Sequence, residues 1–210
     1  MIVYVLIKED ASMFKNIKFK TSKTFEKLGL NNLWDKFEMD EKEFIYNSYL
    51  SVGMDILNHY FLDSSQLHFI WNMIMWFQSK RKDETTQKII SYVNTYNIYE
   101  KSNDIEDKHF YLIQVIQYYY HPRSPEIHNS LLAKKYAYED IELFTKNVNI
   151  FKSAGTIARD PSFKILALIL EKEKNYKEAI RICELALKYE QDDGTKSGFE
   201  GRMEKLNKKL

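Results

Sequence analysis

The sequence predicts an all-α protein built from antiparallel helical hairpins, and three observations lead there. Only six Gly and three Pro interrupt 210 residues, so the segments between turns are long, as helices need and a many-stranded sheet does not. From Asp40 onward apolar residues recur at steps of three and four, the period of a helix face. Near the C-terminus, large and small apolar residues alternate in the order two nested helices require: Phe163, Leu166, Ala167 and Leu170, then Ala179, Cys183 and Ala186.

Composition narrows the classes further. Apolar residues make 44% and charged residues 29% of the chain, ordinary values for a soluble globular protein. With 31 basic and 30 acidic residues there is no basic excess of the kind a nucleic-acid binder concentrates on one face, so no nucleic-acid partner is expected. The single cysteine, Cys183, excludes an internal disulfide and favours a reducing compartment, hence a cytoplasmic location. Met1 to Ile7 has no basic region before its apolar run and meets Lys8, Glu9 and Asp10 at once, unlike a secretory signal. Phe69 to Phe77 is too short to span a bilayer, which takes ~20 residues, so no membrane partner is expected.

Three regions are expected: a small β or irregular segment over 1–40, a helical bundle over 41–103, and hairpins with a capping helix over 104–210. In the first, Ile2 to Ile7 and the alternation Ile17-Lys18-Phe19-Lys20 predict a hairpin. Such a hairpin is marginal alone, so it packs on helices or pairs between copies as a homo-oligomer. Its lysines either guard a strand edge or face an acidic partner.

In the second region, Ile45, Tyr49, Val52, Ile56 and Tyr60 form one stripe. Gly53 lies inside it, which predicts close approach of a neighbouring helix to offset its cost of about 1 kcal/mol. Asp63-Ser64-Ser65 caps a helix reaching Ser79 whose apolar residues leave almost no polar side; that pattern predicts a buried central helix. Asp83 opens the next helix, with Ile89, Ile90, Val93 and Tyr96 on one face.

In the third, Asn103-Asp104 opens a helix carrying Phe110, Ile113, Ile116 and Tyr120. Pro122 and Pro125 break it. A helix over 126–144 follows, with Ile127, Leu131, Tyr138 and Ile141 inward. Pro161 starts the final hairpin, Lys174-Asn175 turns it, Asp192-Asp193-Gly194 ends it, and Phe199 to Leu210 forms a polar last helix. Hairpins ending in a polar helix are what a helical repeat array requires.

Residues 160–191 resemble one tetratricopeptide repeat. Phe163 takes the large aromatic position, Leu166-Ala167 the Leu-small pair, Ala179 and Ala186 the small positions of the second helix, and Gln191 replaces the usual closing proline. The resemblance implies a non-enzymatic protein- or peptide-binding adaptor or regulator, with a groove lined by each repeat's first helix and no cofactor. By it, Lys164, Leu168, Glu171 and Lys172 occupy groove-lining positions; the alternative is that they only face solvent. The tail-gripping subfamily has asparagine where Leu168 stands, so a carboxylate clamp is not expected.

Two rival readings remain open. Arg123-Ser-Pro-Glu-Ile-His128 resembles the signature of HEPN ribonucleases, which implies a cation stabilising phosphate while histidine moves a proton. Ser124 and Pro125 depart from that pattern, and the alternative is a loop arginine beside a helix-start histidine. A peptide-responsive transcriptional regulator is the other rival, although residues 20–60 show no helix-turn-helix. The remaining histidines, His59, His68, His109 and His121, form no known ligand spacing, so no metal centre is expected. Cys183 falls on a packed face, which argues against a catalytic thiol.

Overall fold

The computed structural model describes residues 18–59, 65–121, 128–152 and 159–210. Among them are twelve helices and no strand. The all-α expectation holds. The expected β hairpin does not: Ile2 to Ile7 and Ile17 lie outside the described residues, while Lys18 is helical and Phe19 and Lys20 turn. The alternation there reflects one anchoring side chain. Phe19 is buried against Tyr46, and its carbonyl accepts the Trp34 Nε1 proton at 3.0 Å.

Contacts divide the chain into Met1–Glu100 and Lys101–Leu210. The first unit holds α1 (Lys23–Lys27), α2 (Asn31–Trp34), α3 (Met39–Ser51), α4 (Gln66–Ser79), α5 (Asp83–Tyr96) and the start of α6 (Ile98–Lys101). Its core is aromatic. Phe25 packs on Trp34, Phe37 and Phe69, and Tyr49 stacks on Phe69 at 4.4 Å while donating its hydroxyl to the Phe69 carbonyl. Ser65 caps α4 by accepting the His68 amide proton at 2.9 Å, as its position predicts. The one buried carboxylate among the described residues of this unit, Glu41, accepts from Lys88 at 2.8 Å, from the Glu38 amide at 2.8 Å and from the Thr85 hydroxyl.

Two expectations need correction in this unit. The stripe from Ile45 to Ile56 is not one helix, because α3 ends at Ser51 and Gly53 turns the chain at φ +84, while Tyr60 lies outside the described residues. A Cβ on Gly53 would meet nothing within 4 Å among the described residues, so the glycine serves the left-handed turn, and no described helix approaches it. Likewise α4 is not buried all round. Met75 is exposed, and Trp71 and Trp76 are half-buried.

The second unit holds α7 (Ile105–Tyr120), α8 (Ser130–Lys146), α9 (Val148–Lys152), α10 (Pro161–Lys172), α11 (Tyr176–Lys188) and α12 (Gly198–Asn207). Consecutive helices pack on one another: α7 on α8, α8 on α10, α10 on α11 and α11 on α12. The Asn129 amide donates to the Tyr119 carbonyl at 2.9 Å, which sets the start of α8 beside the end of α7, an antiparallel pair. Between α10 and α11, Lys174 turns the chain at φ +60 and Asn175 caps the new helix.

Nesting follows size. Ala133, Ala137, Ala167, Ala179 and Ala186 are fully buried, and so are Phe163, Leu166, Leu170 and Cys183. Alanine lets two backbones approach, and the aromatic and leucine side chains fill what remains. Gln191 Oε1 accepts the Asp160 amide proton at 2.8 Å, tying the end of α11 to the start of α10. Leu131 is not inward but 74% exposed, and Phe110 is also exposed. The inward face of α8 runs through Ala133, Ala137, Asp140, Ile141 and Phe144, which leaves Leu131 on the other side of the first turn.

Candidate functional site

The expected groove residues lie on α10, and the structure gives each a setting. Lys164 is half-buried and donates to the Asp193 carbonyl at 2.8 Å. Leu168, one turn later, is half-buried. Glu171 pairs with Lys209 at 2.7 Å and Arg202 at 3.6 Å, both on the C-terminal segment. Lys172 is exposed with its amine 5.3 Å from the centre of the Tyr120 ring, at the end of α7. The two flanks of this face of α10 therefore meet α7 on one side and α12 on the other.

Beside Glu171 a cleft of about 120 Å³ opens, lined also by Asp193, Thr195, Ser197, Arg202 and Lys205. Arg202 spans it, 3.1 Å from Asp193 Oδ2, and its Nε is buried without a hydrogen-bond partner among the described residues. Gly201 admits the Ser197 side chain, whose Cβ stands 2.4 Å from where a glycine Cβ would be. Within the cleft the guanidinium is already paired with two carboxylates, Asp193 and Glu171.

A second constellation is buried between α7, α8 and the first turn of α10. His109 Nδ1 and Asp140 Oδ1 are 2.8 Å apart, and Ser162 Oγ donates to Asp140 Oδ2 at 2.5 Å. Asp160, the N-cap of α10, accepts the Ser162 amide proton on Oδ1 at 2.8 Å. Its Oδ2 is buried without a hydrogen-bond partner among the described residues. Exposure is 5% for His109, 0% for Asp140 and 1% for Asp160. Burial pushes the Asp160 carboxyl up to about 7, the Asp140 charge adds to that, and His109 opposes it. Burial would lower the His109 pKa, but the bond to Asp140 and the charges of both carboxylates outweigh it and hold it above the usual value.

In chemical terms the carboxylate of Asp140 is the hub, bonded to both serine and histidine. A nucleophilic triad needs histidine between the two, so Ser162 is not activated here. All three side chains are buried, and His109 lies against Phe144 and Phe151. The polar atoms of the cluster therefore face one another rather than the protein surface.

The other candidates fare differently. Arg123 lies outside the described residues. His128 is half-buried beside the Tyr120 ring at 5.6 Å. Cys183 is buried, and burial pushes its thiol up to about 12, so the thiolate nucleophile is suppressed as expected. The buried cluster was not anticipated, because its members stand 31 and 20 residues apart. A signal existed: His109 and Asp140 occupy apolar-face positions of their helices, where an ionisable group is rare unless paired.

No family model, curated protein or solved structure matches the chain. No helix among the described residues is long and apolar enough to cross a membrane.

Proposed function

We propose that the chain is a non-enzymatic adaptor or regulator that binds a protein or peptide, with its second unit acting as a tetratricopeptide-like array of α7–α8, α10–α11 and the capping helix α12. The observation that carries this reading is the pair of contacts flanking α10: Lys172 on Tyr120, and Glu171 on Arg202 and Lys209. Lys172 brings α10 beside α7 and Glu171 brings it beside the C-terminal segment, with Leu168 half-buried one turn earlier on the same face of α10, which supports reading that face as an inner wall. Along it the cations Lys164, Lys172, Arg202, Lys205 and Lys209 outnumber the acids Glu171 and Asp193. An acidic segment with an apolar anchor is the partner that fits.

The test is capture from the native host with the tagged full chain, followed by titration of the recovered partner. Leu168→Arg and Lys172→Glu should each weaken binding at least tenfold with the circular dichroism unchanged. Undiminished binding by both variants sinks the reading. RNA cleavage abolished by Arg123→Ala and by His128→Ala would replace it with the ribonuclease reading.

A further inference from the structure

The geometry points to a structural divalent-metal site, zinc being the fitting ion, formed by His109, Asp140 and Asp160 where α7, α8 and the N-terminus of α10 meet. Each residue offers one ligand atom, and the three atoms lie within 4.8 Å of one another. One imidazole nitrogen with two carboxylate oxygens is a donor set that zinc accepts at ~2.0–2.2 Å. Modest contraction of the three groups would reach it.

Two features separate this cluster from an ordinary capped helix. The first is Asp160 Oδ2, a carboxylate oxygen in a fully buried side chain with no hydrogen-bond donor among the described residues. An N-cap aspartate needs only the oxygen that accepts the Ser162 amide proton, and a buried polar atom left over costs about 1–3 kcal/mol unless something satisfies it. The second is charge. With both carboxylates ionised, two buried negative charges face a single imidazole, and a divalent cation balances both. Each Asp140 oxygen keeps a lone pair beyond the one used by His109 or Ser162, and His109 would ligate either through Nε2 with its Nδ1 proton still on Asp140 or through Nδ1 once that proton is lost. Phe144 and Phe151, at 5.9 and 4.7 Å from the His109 ring, keep the surroundings apolar, which strengthens coordination. Binding releases any proton carried by the ligands. The ion would then clamp the first helix pair to the second.

The experiment uses the full chain, stripped with a chelator and equilibrated with zinc chloride. Expected are one zinc per chain, a thermal midpoint raised by about 10 °C at a hundredfold excess of free zinc over Kd, and affinity cut at least ~100-fold by Asp160→Asn. That variant keeps the side-chain shape and the acceptor for Ser162. The X-ray absorption spectrum of the zinc-loaded native chain should show one imidazole and oxygen ligands without sulfur, and it decides the matter even if Asp160→Asn does not fold. A chain that stays zinc-free, binding indifferent to Asp160→Asn, or a spectrum with sulfur or several imidazoles overturns the proposal.

Discussion

Replacing Asp140 by alanine removes one carboxylate and strands two buried donors. His109 Nδ1 loses its partner at 2.8 Å and Ser162 Oγ loses its partner at 2.5 Å. Neither can turn to water, because His109, Asp140 and Ser162 are all buried. Removing one member of a buried charged pair costs about 3–5 kcal/mol. A domain is stable by only about 5–15 kcal/mol, so the second unit should lose a large share. At about 4 °C per kcal/mol for a unit near 100 residues, the midpoint falls by roughly 12–20 °C. Urea unfolding followed by far-UV circular dichroism, with chelator present throughout, reads the polar network without any metal. Trp34, Trp71 and Trp76 all belong to the first unit, so tryptophan fluorescence in the same samples separates its transition from that of the second. Leu131→Ala, at an exposed position of the same helix, should stay within about 0.5 kcal/mol. A double-mutant cycle with His109→Ala should return a coupling of about 1–3 kcal/mol. A cost for Asp140→Ala under about 1 kcal/mol, or a coupling near zero, would refute the reasoning.

Three further outcomes follow from the packing and charges. Ala167→Leu forces a larger side chain into a fully buried position on α10 and should cost about 1–3 kcal/mol by overpacking, measured by the same denaturation. Glu41 is subject to burial that raises its pKa, but its bonds to Lys88, Thr85 and the Glu38 amide outweigh that and leave it lowered. Its contribution is therefore present above the ordinary carboxyl pKa and lost as the pH falls through the lowered one. Glu41→Gln should flatten that acid limb of stability against pH, and an unchanged limb would contradict the assignment. Cys183, with its thiol pushed up to about 12 by burial, should resist alkylation at pH 8 until urea is added; rapid labelling of the native chain would place it at the surface.

Much of the second unit was legible from residue order because its signals are local. Asp104 stands where a cap must, and alanine alternates with bulky residues from Phe163 to Ala186 because adjacent helices impose that period. Gly53 was misleading for a related reason. A three-four stripe continues across a turn when Ile56 returns to the core, so spacing alone cannot tell a helix from a helix that ends. The alternation at Lys18 to Lys20 likewise records a single buried Phe19, and periods that short carry too little information to separate a strand from a turn.

Helix content, hairpin boundaries and the small-against-large pairing were written into the chain itself, since each depends on neighbours within a few positions, where backbone geometry is decided. Which side chains meet across helices was settled only by packing. His109, Asp140 and Asp160 come together because α8 and α10 close on α7, and the face that α10 leaves open depends on where the C-terminal segment brings Arg202 and Lys209. Those encounters join residues tens of positions apart, and no local period encodes them.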